Sequence, residues 1–508
     1  MKLSKIILTA ALGLSLAGCG KHYLDVNTNP NALTSSTPDY IFTGAVNRAL
    51  AIITPNETGE YWSGHWTQSS TYIYSSTQFS YQFNNTNFNF WDTWYDVLED
   101  FQYAIDNSDA KGLPQFKGPS KVMKAYLFQE VVDCYGNAPY SDAFKGSSSI
   151  APKFDDQKTI YDSLIVLLDG AITDLRANAF TGTTGSADIV FKGNTTSWIR
   201  FANSLKLRIL IRESRVVSKA AYIVTEINKA AATPEGFLTA GLDVSGNPGF
   251  AQSAGQTNPI YNNWGYNAAG AVLALARYPR PTTFLFQQLI AKDDTFRLKR
   301  LAYAKGGENP NNSGVSTQPE IIANYVGVPY GSTSGYLAQN TSYIGPAFIT
   351  KAGYAKNVYL MLAAESFFCL AEAKQVFPTV TLPLSAQTYY ETGVKEAYRV
   401  TGTAGPGAAT TILVNGKDLS DWSASPDKLK AIWFQKWLAL TDFSGLEAWC
   451  DFRRTNYPVL PLSAGAPVGQ ALPLRLFYPN TELATNGANV NAQGTIDVFA
   501  TRLFWDVD

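Results

Sequence analysis

Histidine is what this chain most nearly lacks: two in 508 residues, His22 and His65. His22 lies three residues from Cys19, in a stretch that reads as a tether, so a Ser-His-Asp or Cys-His site would have to be built on His65. A histidine-rich zinc or iron centre cannot be assembled at all. What remains is carboxylate chemistry, or no chemistry. Cysteine is scarce too. Beyond Cys19 there are only Cys134, Cys369 and Cys450, an odd number that cannot all pair within one chain. They read as buried thiols acting as small apolar side chains. Charged residues make up only 16% of the chain and the formal net charge is -1. No basic stretch or stripe is present, which removes nucleic acid as a partner. No segment offers the ~20 uninterrupted apolar residues of a membrane-spanning helix.

What is present begins with a leader. Lys2 and Lys5 precede an apolar run from Ile6 to Leu16, and Leu16-Ala17-Gly18-Cys19 closes it. A secretory signal has this layout, and the terminal cysteine resembles a bacterial lipobox, in which the sulfur takes a diacylglyceryl group and the cysteine becomes the new N-terminus. Residues 1–18 are then a lipoprotein signal peptide, Cys19 is the lipidation site, and 19–38, rich in Asn, Thr, Ser and Pro, is a lipidated tether. Each buried methylene contributes about 0.8 kcal/mol, so two or three acyl chains hold where one does not.

From residue 39 onward the pattern is helical. Asp39 opens a helix running to Ile53. Trp91, Trp94, Leu98, Phe101 and Ile105 repeat at helical spacing, and further helices cover Ser120–Cys134, Thr159–Leu175, Ser197–Arg215 and Ala220–Ala231. Residues 232–353 change character to Gly, Pro, Asn, Tyr and Ser, with a helical rhythm only at Thr283–Ile290; a loop region this long inside a folded chain is usually functional. Helices return at Lys356–Gln375, Ala386–Val400, Lys428–Leu440 and Ser444–Phe452, and the tail after Tyr457 is again irregular. The expected fold is mainly all-α, built from antiparallel helical hairpins. It forms one domain, 39–508: N-terminal hairpins over 39–231, a loop-rich ligand region over 232–353, C-terminal hairpins over 354–455 and an irregular tail over 456–508.

Short motifs recur in a particular order. Tyr23-Leu24-Asp25-Val26-Asn27 with Asn29-Pro30 is followed by Asp133-Cys134-Tyr135-Gly136-Asn137-Ala138-Pro139-Tyr140 and then by Asp294-Thr295-Phe296-Arg297-Leu298. Next come Leu370-Ala371-Glu372-Ala373, Tyr390-Glu391-Thr392-Gly393-Val394, Asp451-Phe452-Arg453-Arg454-Thr455 and Phe477-Tyr478-Pro479-Asn480-Thr481-Glu482 with Asn486. Together they resemble the SusD/RagB family of outer-membrane nutrient-binding lipoproteins. The resemblance implies a scaffold with four tetratricopeptide-type hairpins and surface exposure on the outer membrane. It also implies a SusC-like TonB-dependent transporter as partner, and binding of a glycan, or in some members a peptide, without catalysis. No cofactor and no metal are implied.

Ligand contacts are sought among aromatics that no amphipathic face can absorb. Sugar rings stack their C–H faces on aromatic planes while amides and guanidinium groups bond the hydroxyls. The aromatic, polar stretch 60–86 offers Trp66, Tyr72, Tyr74 and Tyr81, and the irregular region offers Trp264, Tyr266 and Arg280. Arg453 and Arg454 read as structural, satisfying helix-end carbonyls or pairing with a buried carboxylate such as Glu372. Glu365 and Glu372, about 10 Å apart by helix rise, lie beyond the usual range of a glycosidase pair and also read as structural. A lipid-anchored glycoside hydrolase is the competing class. Replacing Cys19 by alanine abolishes labelling by a palmitate analogue and releases the protein from the membrane fraction; retention on cells would overturn the anchor.

Overall fold

The computed structural model describes residues 36–53, 56–73, 76–305, 318–403 and 405–507. Cys19 and Tyr74 lie outside the described residues.

The first elements are α1 (Pro38–Ile53), the short α2 (Glu57–Trp62), strand β1 (Trp66–Gln68) and α3 (Ser76–Ser80). Helix α2 ends at Ser63, whose backbone N–H caps it on the Gly59 carbonyl, and Trp66 opens a strand. Then come α4 (Trp91–Asn107), α5 (Lys117–Tyr135), α6 (Gln157–Ala177), α7 (Thr195–Arg212) and α8 (Ala220–Ala231). In α4 the buried positions are Trp91, Trp94, Val97, Leu98, Phe101 and Ala104, a single stripe. By contrast α5 and α7 are buried nearly all round, which identifies them as interior helices. Side chains start α6 and α7, and a glycine stops α5. Asp156 accepts from the Lys158 and Thr159 amides at the start of α6, Asn194 accepts from Ser197 at the start of α7, and Gly136, at φ 80°, ends α5.

The region 232–353 carries β2 (Val244–Gly246), α9 (Pro259–Trp264), β3 (Pro279–Pro281), α10 (Thr283–Ala291), α11 (Thr295–Leu301), β4 (Ala302–Tyr303) and β5 (Tyr343–Ile344). Of its helices only α10 was legible as a periodic segment; α9 and α11 are too short to show a period. After it come β6 (Val358–Met361), α12 (Ala363–Val376), α13 (Ala386–Val400), α14 (Gly405–Leu413), α15 (Lys428–Leu440), α16 (Gly445–Thr455) and α17 (Asn480–Asn491). The strands form three antiparallel pairs, β1 with β3, β2 with β6 and β4 with β5. Two expectations need correction. The helix expected from Lys356 begins at Ala363, because Val358–Met361 pairs with β2 and Asp243 Oδ1 accepts from the Ala363 amide at 2.9 Å, starting the helix there. The tail is not wholly irregular: α17 starts after Pro479, and Asn486 donates to Glu482 one turn back at 2.8 Å and to the Pro152 carbonyl at 2.8 Å.

Consecutive helices pack as pairs: α4 with α5, α6 with α7, α12 with α13 and α15 with α16. The α12–α13 crossing is close because Gly393 faces the Phe368 ring; a Cβ there would lie 2.8 Å from the ring edge. The mainly helical architecture expected from periodicity is thus present, with minor sheet added.

The interior of the pairs holds ions. Arg208 grips Glu365 with two bonds, at 2.5 and 2.9 Å, and Arg454 grips Glu372 in the same way. Arg212 reaches Glu447 and Asp451, and Lys436 reaches Glu447 at 3.0 Å and Asp451 at 2.6 Å. Four cations from α7, α15 and α16 therefore meet four carboxylates from α12 and α16. Burial pushes Asp451 and Glu447 toward the neutral form, but the surrounding Arg and Lys charges outweigh it and hold both below the usual carboxylate range. Arg453 instead bonds the carbonyls of Asp133 and Leu474 and lies 3.6 Å from the Trp449 ring centre. The structural roles read for Glu365, Glu372, Arg453 and Arg454 hold. The three thiols, Cys134, Cys369 and Cys450, are buried and unpaired. Glu365→Ala strands the Arg208 guanidinium in the core; chemical denaturation will show a loss of about 3–5 kcal/mol.

Candidate functional site

A cleft of about 700 Å³ opens where the end of α1, the start of α2, α3, the turn before α4 and α9 come together. Its wall is aromatic and amide in turn: Phe88, Phe90, Trp94 and Trp264 among Asn56, Gln78, Asn87, Asn89 and Asn263, with Thr58, Thr77 and Thr93 adding hydroxyls. Among the described lining residues Glu57 is the only ionisable one.

Each part of the wall is held from behind. The Tyr135 hydroxyl donates to the Phe88 carbonyl at 3.1 Å and accepts from the Phe90 amide at 3.0 Å, which fixes the turn before α4. Phe88 itself sits at φ 54°, a left-handed conformation that few phenylalanines adopt. Its ring meets Trp62 edge-on at 5.2 Å, and Phe90 packs on Trp94 at 5.3 Å. Trp264 ends α9, whose first turn is capped by Asn258: its Oδ1 accepts from Ile260 and Tyr261, and its Nδ2 donates to the Lys356 carbonyl. Asn56 caps α2 by accepting from Gly59 at 3.3 Å.

Behind α2 lies a sealed polar cluster. His65 is fully buried; its Nδ1 lies 2.8 Å from Glu60 Oε2, and its Nε2 lies 3.1 Å from the Trp437 carbonyl. Burial pulls the imidazole down to about 3, so it is neutral, and burial raises Glu60 into its protonated form. The consistent tautomer has Nε2–H donating to Trp437 and Nδ1 accepting the Glu60 proton. Ser63 Oγ donates to the Glu60 carbonyl at 3.1 Å. The one histidine that could have served a nucleophile is thus a structural strut without solvent access. Asp442, raised by burial and by the neighbouring Glu60, accepts from Trp66 Nε1 at 2.7 Å.

Of the residues singled out from sequence, Trp264 lines the cleft. Trp66 stands directly behind it, ring to ring at 6.0 Å, and is buried. Tyr266 is buried and stacks on Tyr261 at 5.2 Å. Arg280 is fully buried: it sits over the Tyr343 ring at 3.9 Å, bonds Thr341 and Pro279, and burial holds it down at about 10. Tyr81 is buried beside Phe499, and burial pushes its hydroxyl up to about 12. Tyr72 is half-buried against Tyr278. The structure therefore brings Trp264 to the cleft and sets Trp66 behind it, while Tyr72, Tyr81, Tyr266 and Arg280 lie outside the lining, because each has a partner in the protein's own packing. Sequence reasoning missed Glu57, Phe88 and the neighbouring amides. The signal was available in Asn84-Asn85-Thr86-Asn87-Phe88-Asn89-Phe90, amide and aromatic side by side just before a helix.

Glu57 has a buried Oε2 with no hydrogen-bond partner, and burial raises its carboxyl to about 7. A glycosidase needs two carboxyl groups roughly 5–9.5 Å apart across the scissile bond, and the described lining supplies one. Among the described residues no group of three His, Cys, Asp or Glu converges as a metal site, and no helix is long and apolar enough to cross a membrane.

A helical frame holding an aromatic, amide-rich cleft with one carboxyl is the design of a binding protein. The chain belongs to the SusD-like family, described as starch-binding and associating with the outer membrane, whose model matches residues 30–479. This is a SusD/RagB-like family of outer-membrane nutrient-binding proteins, and its members are not enzymes. Solved structures agree in fold. A SusD homologue from Bacteroides uniformis is 22% identical, covering 92% of this chain and 100% of that one, with a TM-score of 0.70. One from Bacteroides fragilis is 21% identical over 93% of this chain and 99% of that one, with a TM-score of 0.75. A chitin-binding SusD homologue from Flavobacterium johnsoniae is 23% identical over 92% and 99%, with a TM-score of 0.69. No curated protein is similar enough to match.

Because the Glu57 carboxyl is raised above its unfolded value of 4.5, its favourable contribution is complete below that value and is lost as pH rises through about 7. Glu57→Gln will denature like the wild type at pH 4 and be the more stable of the two at pH 8, as read by urea midpoints.

Proposed function

We propose that the chain is a lipid-anchored receptor on the outer-membrane surface. It captures a nutrient glycan in the cleft beside Trp264 and delivers it, unaltered, to a SusC-like TonB-dependent transporter. The single observation that carries the ligand class is the cleft wall itself, Phe88, Phe90, Trp94 and Trp264 set among Asn and Gln side chains. Aromatic faces without amides suit any apolar molecule; the mixture suits a ring with apolar C–H faces and a hydroxyl edge. A peptide is the alternative ligand for the same cleft.

The frame beneath is read as four tetratricopeptide-type hairpins, supported by the four packed pairs α4–α5, α6–α7, α12–α13 and α15–α16. Residues 39–508 form one domain, and Cys19 carries the lipid that keeps it at the membrane, with 19–38 as tether. The transporter is inferred from the habit of SusD-like homologues, which typically pair with SusC-like proteins.

Isothermal titration against a panel of oligosaccharides and peptides tests this. An oligosaccharide will bind, and Trp264→Ala will weaken it by about tenfold or more, since losing one stacked ring is worth about 1.4 kcal/mol. Binding that is indifferent to Trp264, or peptides alone binding, would overturn the glycan reading.

A further inference from the structure

Among the described residues, the cleft wall contains groups that the protein's own packing leaves unsatisfied. Glu57 lines the cleft at the start of α2, and its Oε2 is buried with no hydrogen-bond partner. The groups that face the cleft from α3, from the turn before α4, from α9 and from Leu275 are amides, hydroxyls, rings and aliphatic chains; none is titratable and none is charged. Burial raises its carboxyl, and among the described residues no cation acts against that shift. The setting differs from that of the buried ion cluster, where Glu365, Glu372, Glu447 and Asp451 each have an Arg or Lys counter-ion. A desolvated carboxylate without a counter-ion is costly; among the described residues Glu60 and Asp442 also lack a cationic partner, but they are sealed in the interior, whereas Glu57 faces an open cavity.

A second orphan stands in the same wall. Trp264 Nε1 is buried and has no hydrogen-bond partner, and the Trp264 ring, met edge-on by Trp66, is part of the cavity lining. An ammonium group entering here finds a carboxylate to pair with and aromatic faces that attract cations, while the amides of Asn56, Asn89 and Asn263 remain for hydroxyls.

We propose that the cleft selects a glycan carrying a free amine, an aminohexose unit, with the Glu57 carboxylate as counter-ion to its ammonium group. The inference rests on the glycan reading above and narrows it to a substrate class. The amide-rich wall favours an amino sugar over a lysine-bearing peptide, because a peptide would supply its cation on a flexible stem and leave the wall's hydrogen-bonding groups to backbone alone. Pairing also has a proton consequence. Below about pH 7 the empty site holds Glu57 largely protonated, and an incoming ammonium group displaces that proton to solvent.

The test is calorimetric, on the full-length protein and its Glu57→Gln variant. Three ligands of equal length are compared: glucosamine oligomers, their fully N-acetylated counterparts and neutral glucose oligomers. Each titration is run at pH 6 in two buffers of different ionisation heat. The wild type will bind the free-amine oligomer about tenfold or more tighter than the N-acetylated one, a difference of about 1.4 kcal/mol, and will show a net proton release on binding. Glu57→Gln will keep its fold, by circular dichroism, and will lose both the preference and the proton release. Equal or tighter binding of the acetylated or neutral oligomers by the wild type, still dependent on Trp264, would overturn the amine proposal and leave the glycan receptor standing. A preference that survives in Glu57→Gln would overturn it as well. Peptides binding where none of the three sugars does would overturn the receptor reading underneath.

Discussion

Burying four cations is the constraint around which this scaffold is organised. Arg208, Arg212, Lys436 and Arg454 lie on α7, α15 and α16, with side chains almost wholly withdrawn from water, and they meet Glu365, Glu372, Glu447 and Asp451 from α12 and α16. An ion pair inside a protein is not a free gain, since desolvation offsets much of the attraction. Its value here is geometric. A guanidinium bonded twice to one carboxylate fixes distance, plane and direction at once, so Arg208 to Glu365 and Arg454 to Glu372 set how the N-terminal helices and α16 lie against α12. Apolar packing of the same area would tolerate sliding; these bonds do not.

The same logic explains which sequence features were legible. The motifs that carried the family resemblance occupy this framework rather than the cleft. Glu372 and Arg454, from two separate motifs, are bonded to each other. Arg453 bonds the carbonyl of Asp133, from a third motif, and the Tyr478 hydroxyl donates to Asn137 at 2.8 Å, joining a fourth. Asp294 caps α11, pairs with Arg297 and accepts from Tyr398. Long helices with a one-sided apolar stripe, such as α4, could be read within a few residues of their ends, and the interior helix α5 stops at a glycine, Gly136. Short elements could not be read. A six-residue helix such as α2 or α9 has no period to detect, and Val358–Met361 is a strand only because Val244–Gly246 lies beside it, a partner over a hundred residues away.

The cleft was harder still, because the property that distinguishes a contact residue from a packing residue is not composition. Trp66 and Trp264 look alike in sequence, each an indole among polar neighbours. In the fold, Trp66 has its N–H bonded to Asp442, while Trp264 has its N–H bonded to nothing. Arg280 looked like a hydroxyl binder and is instead a buried strut over Tyr343. Aromatic richness in 60–86 was real, but most of those rings pack on one another; Tyr61, for example, lies 4.9 Å from Phe79.

Glu57 and Glu60 draw the distinction between structure and function most plainly. They are three residues apart on α2, and both are pushed up by burial. Glu60 faces inward, where the His65 imidazole and the Asp442 backbone N–H both meet its Oε2. That inward face is fixed because α2 crosses α16 at two glycines: a Cβ on Gly59 would lie 2.2 Å from the Leu446 nitrogen, and one on Gly445 would lie 2.3 Å from the Glu60 nitrogen. With the backbones in contact, α2 cannot rotate, so satisfying Glu60 commits Glu57 to the cleft wall. Glu60 has its Oε2 bonded by the fold while Glu57 Oε2 is bonded by nothing, and on a helix this rigid that oxygen is left for whatever enters the cavity.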